Sequence, residues 1–225
     1  NIQPDVVHFH HYIFLGVEMI RAAKRVCPNA KIVLTLHEYI AICMNYGQMI
    51  KKDGRLCYRS SPRECAQCFP DWTAEDFFLR ERYIKTYFNL VDQFISPSEF
   101  LRQRYIAWGI PAEKIMVIEN GLPPGEKLPP RSLRADESHG RFAYFGQINP
   151  FKGVDLILEA FAQLPKKVRR LASLDIYGSG LEWQNEDYKN KISKLLEENK
   201  DVIRYHGSYE PEELSKLMEI GRAHV

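Results

Sequence analysis

Residues 142–153 read Phe-Ala-Tyr-Phe-Gly-Gln-Ile-Asn-Pro-Phe-Lys-Gly, and apolar residues at helical spacing continue to residue 164. The stretch predicts a strand that ends at Gly146, a loop that carries Lys152, and a helix directly after Gly153. Open α/β sheets bind ligands beyond the carboxyl ends of their strands, where a helix N-terminus presents free N–H groups. Close backbone approach at Gly146 and the charge of Lys152 would suit a pyrophosphate. The alternative is a plain turn beside a solvated lysine.

The same alternation of apolar runs and helical patterns extends along the chain. Strands that alternate with helices indicate parallel sheets with helices on both faces. Residues 122–139 contain four prolines and no apolar periodicity, which predicts a linker between two such sheets. The strands are predicted at 6–10, 31–36, 93–96, 115–118, 141–145, 174–177 and 202–205, and the helices at 13–26, 72–90, 99–108, 154–164, 182–198 and 211–218.

The composition is that of an ordinary globular protein. Of 225 residues, 45% are hydrophobic, 12% aromatic and 27% charged, which excludes intrinsic disorder and disulfide miniproteins. The 31 Lys and Arg residues against 29 Asp and Glu leave a net charge of +2, which argues against a nucleic-acid partner. No apolar run is long enough to span a membrane.

Seven pieces of the chain resemble family 4 glycosyltransferases, in the order in which that family has them. Those that resemble the family's C-terminal domain read FAYFGQINPFKGVDLILEAFAQLP (142–165), SLDIYGSG (173–180) and DVIRYHGSYEPEELSKLM (201–218). Those that resemble the second half of its N-terminal domain read PDVVHFHHY (4–12), IVLTLHEY (32–39), FISPSEFLRQRYIAWGI (94–110) and IMVIENGL (115–122).

This resemblance covers residues 3–218 and implies the GT-B fold, an α/β architecture of two Rossmann-like domains with parallel sheets, both incomplete here. It also implies retaining transfer of a sugar from a UDP- or GDP-linked donor to a glycan or lipid-linked acceptor, in cell-surface polysaccharide synthesis. No cofactor is expected to be required for transfer. A GT-B-like nucleotide-sugar epimerase is an alternative, and a Cys-stapled metal-binding interaction module is one from another class.

The resemblance also divides the chain. Residues 1–122 would be the C-terminal part of the acceptor-side domain, with a Cys-rich insertion at 43–71. Residues 123–139 would be the Pro-rich linker and 140–219 the first part of the donor domain, while 220–225 are interpreted as a non-native tail.

Two motifs of the family lie outside the sequence. The Gly-rich loop is expected before Asn1, and the Glu-x7-Glu motif that holds the donor sugar and ribose is expected after residue 220. The polypeptide by itself is therefore expected to be inactive or nearly so.

The donor-site residues are carried over from the resemblance. Gly146, Gln147 and Lys152 would lie at the donor diphosphate, and Gly178 with Gly180 near the nucleotide. Members often have Arg where this chain has Gln147, which can donate a hydrogen bond but carries no charge. Lys152 is therefore expected to provide more of the neutralisation.

The catalytic assignment falls on His37, which follows the apolar run 31–36 and precedes Glu38, where the family usually has His-Asp. The family's histidine lies near the transferring sugar. Cleavage of the sugar–phosphate bond builds positive charge on the ring, which a neutral imidazole could stabilise. A histidine that caps a helix or packs locally is the alternative. His11, Glu38 and Asn120 are assigned to the acceptor side or the cleft.

Alternation places His8 and His10 on one face of the first strand, a spacing that invites a metal interpretation. No carboxylate follows at ligand spacing, so a metal is disfavoured there.

The cysteines form the pattern C-x13-C-x7-C-x2-C at Cys43, Cys57, Cys65 and Cys68. Four thiolates would close a tetrahedral zinc shell, although thirteen residues between the first two are more than a usual zinc ribbon has. Reduced structural thiols and disulfides are the alternatives, the latter disfavoured in a reducing cytosol. Any zinc would be structural.

No basic start followed by an apolar stretch, as in a secretory leader, is recognisable at the beginning of the sequence. The resemblance implies a cytoplasmic protein, because nucleotide-sugar enzymes of this type work in the reducing cytosol. Contact with the inner face of the membrane is a further prediction, based on a basic-aromatic helical face. This face carries Arg80, Arg82, Tyr83, Lys85 and Tyr87; acidic neighbours dilute it, and a solvated face is the alternative.

Overall fold

The computed structural model describes residues 3–121 and 140–218. The chain divides into two compact units, Asn1–Pro123 and Pro124–Val225. The predicted linker and the predicted non-native tail lie outside the described residues, so the domain boundaries drawn from the sequence stay predictions.

Within residues 3–121 the strands are β1 (Val6–Phe9), β2 (Lys31–Thr35), β3 (Gln93–Ser96) and β4 (Ile115–Val117). They form one sheet in the order β1-β2-β3-β4, and every adjacent pair is parallel. The carboxyl ends of all four strands therefore meet at one edge of the sheet. The accompanying helices are α1 (Met19–Val26), α2 (Pro62–Cys68), α3 (Ala74–Phe88) and α4 (Glu99–Ala107).

The core of the first unit joins the middle strands to these helices. Ile32, Leu34 and Phe94 of the sheet are buried together with Ile20 of α1 and Phe88 of α3. Burial of each such side chain contributes about 1.5–3 kcal/mol. The β-branched and aromatic runs that predict the strands are thus the residues that attach the helices to the sheet.

The helix predicted over 13–26 is shorter than its pattern. It begins at Met19, because Gly16 has a left-handed backbone (φ +86°) that cannot lie within an α-helix. Residues 13–15 form a turn instead, and Phe14 is 93% exposed. No helix is predicted between residues 26 and 72, yet this part of the chain contains α2, whose Ser61 cap accepts from the Glu64 N–H.

The next two helices follow their caps. Helix α3 begins after Thr73 and not after Asp71, because Thr73 and Asp76 form a reciprocal capping box. Helix α4 begins at Glu99, as predicted, because Ser98 caps it by accepting from the Leu101 N–H. Gly109 follows α4 with a left-handed backbone (φ +104°).

Within residues 140–218, β5 (Arg141–Phe145), β6 (Ser173–Tyr177) and β7 (Ile203–Gly207) form a parallel sheet in that order. Its core joins Leu174, Ile176 and Ile203 to Leu158 and Ile192 of two helices. The helices are α5 (Val154–Ala162), α6 (Lys166–Arg169), α7 (Glu186–Glu198) and α8 (Leu214–Met218).

Two helix predictions in this unit need correction, and one helix is not predicted from the sequence. The pattern over 182–198 comprises a 3-10 turn, Leu181–Trp183, and then α7, because Asn185 caps α7 by accepting from the Tyr188 N–H. The pattern over 211–218 likewise begins with a 3-10 turn before α8, and α6 was not predicted. The prediction of an α/β fold with parallel sheets is confirmed.

Candidate functional site

The carboxyl ends of β1 and β2 bring histidines together. These strands pair with Phe9 opposite Leu34, so the residues that follow them emerge side by side. His10 Nδ1 lies 3.4 Å from His37 Nε2, and the two rings stack at a centroid distance of 5.7 Å. We call His10, His11, His37 and Glu38 the histidine site.

The environment of His37 favours the neutral imidazole. Although the ring is exposed, its partial desolvation lowers its pKa first, His10 and His11 lower the pKa further, and Glu38 opposes them. The pKa of His8 is also lowered, by burial first and then by His10 and His37. A neutral imidazole has one N–H donor and one acceptor nitrogen, so it can orient a hydroxyl and stabilise developing positive charge.

Glu38 is the acidic member of the histidine site. Its Oε1 lies 3.5 Å from His11 Nε2, and its Oε2 accepts from the Ile40 N–H. Tyr105, buried beneath, donates its hydroxyl hydrogen to the Glu38 carbonyl at 2.9 Å. The segment after β2 is therefore held to the core of the unit, and its position does not depend on His37.

Asn120 does not join these residues through neighbouring strands. It follows β4, which β3 separates from β2 in the sheet, and its side chain is exposed. Its assignment to the acceptor side or the cleft stays a prediction.

The second site lies at the carboxyl ends of β5 and β6 and depends on close backbone approach. The Gly146 N–H donates to the Tyr177 carbonyl at 3.0 Å, and the Ile148 N–H donates to the Ser179 carbonyl at 2.8 Å. A Cβ atom at Gly178 would overlap the Gly146 carbonyl oxygen, so only glycine fits there. Gly180 has a left-handed backbone at φ +103°.

The loop with Lys152 connects the backbone contact between Gly146 and Gly178 to α5. Tyr144 donates its hydroxyl hydrogen to the Gln147 carbonyl at 2.9 Å, and Asn149 Oδ1 accepts from the Phe151 N–H at 3.0 Å. Lys152 is exposed, and Gly153 is the N-cap of α5, with a left-handed backbone (φ +69°) and no side-chain cap.

A helix start without a side-chain cap, next to a lysine, is suited to binding an anion. We call Gly146, Gln147, Lys152, Gly178 and Gly180, with the N-terminus of α5, the glycine site.

The cysteines predicted as a candidate metal site are half-buried free thiols. Cys57 donates its thiol hydrogen to the Arg59 carbonyl at 3.2 Å, and Cys68 accepts from the Lys52 N–H at 3.3 Å. Burial raises the pKa of Cys65, and Cys57, Cys43 and Cys68 raise it further. In residues 3–121 and 140–218, however, no three His, Cys, Asp or Glu side chains are arranged to hold a metal ion.

The basic-aromatic face predicted on α3 is largely used within the protein. Arg80 donates to the Ala41 carbonyl at 2.8 Å and to the Ile40 carbonyl at 2.5 Å. Lys85 pairs with Glu81 and lies over the Trp108 ring, while Tyr87 is buried. This face therefore does not support membrane contact. Among the described helices, none has both the length and the apolar character needed to cross a membrane.

The sequence pattern does not associate His10 with His37. It suggests only a metal interpretation for His10, whereas in the structure its side chain contacts His37. Its place at the end of the strand that pairs with β2 was the signal available.

Comparison with known proteins supports one family. A sequence model described as Glycosyltransferase Family 4 matches residues 1–126, and one described as Glycosyl transferases group 1 matches residues 128–225. No curated protein sequence matches the chain.

Several solved structures share the fold. Anabaena HepE in complex with UDP and glucose matches 96% of this chain and 50% of its own, with TM-score 0.59 and 15% identity. Sucrose-phosphate synthase of Thermosynechococcus elongatus matches 96% and 48%, with TM-score 0.58 and 17% identity. The lipopolysaccharide outer core galactosyltransferase WaaB matches 97% and 48%, with TM-score 0.52 and 17% identity.

The chain thus spans about half the length of these structures, which are GT-B glycosyltransferases. Both sequence models belong to glycosyltransferases, and the first covers more than half of the chain. The chain therefore belongs to glycosyltransferase family 4.

Proposed function

We propose that the whole protein transfers a sugar, with retention of configuration, from a UDP- or GDP-linked donor to a glycan or lipid-linked acceptor. The observation that carries the proposal is the glycine site, where an uncapped helix start follows a loop with an exposed lysine. HepE, whose fold is similar, is known in complex with UDP-glucose. UDP is therefore the first nucleotide to test.

In this proposal the second unit binds the donor through backbone and charge. N–H groups at the start of α5 and the Lys152 ammonium group neutralise the diphosphate, and Gln147 adds a hydrogen bond without charge. Gly178 and Gly180 allow the backbone to approach the nucleotide, because no Cβ atoms stand in the way.

The first unit acts on the sugar. Departure of the diphosphate leaves positive charge on the sugar ring, and the neutral imidazole of His37 stabilises this charge and orients a hydroxyl. His11, Glu38 and Asn120 are proposed to contact the acceptor. The acidic Glu38 suits hydroxyl groups, because a carboxylate accepts their hydrogen bonds.

A role in cell-surface polysaccharide synthesis, in the cytoplasm, is the proposed setting. It is supported by the similar fold of WaaB, a lipopolysaccharide galactosyltransferase. Transfer as proposed requires no metal. Structural zinc at the four cysteines is a separate proposal, tested by metal analysis of the purified protein.

Nucleotide titration of the full-length protein tests the proposal. UDP and GDP are titrated by calorimetry into the wild type, Lys152→Ala and the control Lys167→Ala, an exposed lysine on α6. Loss of a charge-assisted contact is expected to weaken binding by about 1.5–3 kcal/mol, roughly 10- to 150-fold. Lys167→Ala is expected to bind like the wild type.

Three outcomes would contradict the proposal. Equal affinity in Lys152→Ala and the wild type would remove the role of Lys152. Failure of both nucleotides to bind the full-length protein, or conversion of the donor sugar to its epimer without transfer, would remove the proposed reaction.

A further inference from the structure

Two imidazoles in the histidine site are in direct contact through ring nitrogens. His10 Nδ1 and His37 Nε2 are 3.4 Å apart, and the ring planes differ by 27°. A contact between two ring nitrogens is favourable only when one carries a hydrogen and the other is an acceptor. The contact therefore couples the tautomers of the two rings: His37 carries its hydrogen on Nδ1 when His10 Nδ1 donates, and on Nε2 when His10 Nδ1 accepts.

The His10 ring also contacts His8, on the strand that precedes it. The centroids of these two rings are 4.3 Å apart, and His8 Nε2 lies 2.8 Å from Thr35 Oγ1 on β2. The register of β1 and β2 thus fixes the His10 ring through a chain of contacts that does not include His37. A group fixed independently can orient its neighbour.

We infer that His10 is a positioning residue for His37, holding its ring in one orientation and with one tautomer. The inference rests on the proposed function for its effect on catalysis, whereas the contact can be tested without activity. His10 would determine which His37 nitrogen is presented to the sugar. Its removal would leave the exposed His37 ring able to rotate and to exchange tautomers.

The contact also opposes a second positive charge. Protonation of both rings would place two cations side by side, so His10 lowers the pKa of His37. The other groups that act on His37 are His11, which lowers its pKa, and Glu38, which raises it. His10 thereby keeps His37 neutral at lower pH than it would otherwise be.

The test uses the full-length protein, with His37 followed by NMR titration of its ring and assigned with a His37→Gln variant. His10→Phe keeps a stacking ring but removes the nitrogens. We expect the titration midpoint of His37 to rise by roughly half a pH unit when the neighbouring cation is removed. Because His37 acts in its neutral form, the acidic limb of the kcat/KM profile is expected to move to higher pH by the same amount.

His10→Asn separates the hydrogen bond from the charge, since its amide nitrogen stands near the position of Nδ1. We expect kcat to fall about tenfold in His10→Phe, with KM for the donor unchanged. In His10→Asn we expect most of the lost kcat to be restored. His10→Asn also serves if His10→Phe does not fold.

The outcomes distinguish this inference from the proposed function. The same His37 midpoint in the wild type and both variants would overturn the inference, and so would a shifted midpoint with unchanged kcat. A shifted midpoint in a protein that transfers no sugar would sustain the contact and overturn the proposed function.

Discussion

The histidine site and the glycine site are built from different parts of the chain. In the histidine site, side chains that follow two paired strands contact one another, and His37 itself is exposed. In the glycine site, the backbones of Gly146 and Gly178 meet, and side chains are excluded from the contact. Both lie at carboxyl ends of parallel strands, where the α/β architecture leaves a sheet edge for ligands.

Because of this difference, substitutions in the two sites should have different effects on activity and on stability. Removal of an exposed imidazole leaves packing intact, so substitutions at His37 should affect the reaction and spare the fold. Addition of one methyl group at Gly178 forces backbone apart, so that substitution should affect the fold itself. The chemistry of the first site can therefore be removed cleanly, whereas the backbone contact of the second cannot be changed without cost to the fold.

The largest expected effect is that of His37→Ala on turnover. Loss of one preorganised group that stabilises transition-state charge costs about 10²–10³-fold in kcat. Transfer from a radiolabelled donor by the full-length protein measures it. The urea midpoint is expected to stay at its wild-type value, and a lowered midpoint with unchanged kcat would reverse the contrast between the two sites.

Gly178→Ala is expected to destabilise the protein. Overpacking costs about 1–3 kcal/mol, and here the displaced atom is the carbonyl oxygen of Gly146, whose N–H group is bonded to the Tyr177 carbonyl. Urea unfolding measures the loss, with Gly121→Ala as the control, because a Cβ atom there would meet nothing within 4 Å. Equal stability of the two variants would show that the backbone at Gly146 can move away from a Cβ atom at Gly178 without cost.

Most strands could be predicted because their residues are the ones that pack. Ile32, Leu34 and Phe94 are apolar, lie in short runs, and are buried in the sheet. The helix predicted from residue 13 was too long, because apolar spacing does not register the left-handed backbone of Gly16. Helix α2 was missed because its seven residues lack apolar periodicity, although Ser61 followed by Pro62 is a helix start signal.

The histidine site was harder to predict than the glycine site, because it depends on strand register. Lys152 and Gly146 lie within one strand–loop–helix segment, so local pattern suffices to associate them. His10 and His37 are 27 positions apart, and their contact requires that β1 pair with β2 in one particular register. No single stretch of sequence contains that information, which explains why His10 was considered for a metal and not for His37.

The smallest expected effect is on salt dependence. If the glycine site binds a diphosphate partly through the exposed Lys152, nucleotide affinity should fall several-fold between 0.05 and 0.5 M NaCl. The reason is that the Debye length shortens to a few ångström at the higher salt concentration. The slope of log Kd against log salt should be smaller in Lys152→Ala and unchanged in Lys167→Ala. At saturating donor, kcat should vary little with salt, since neutral His37 has no charge to screen. Equal slopes in all three proteins would mean that the backbone of α5 alone carries the electrostatics of the site.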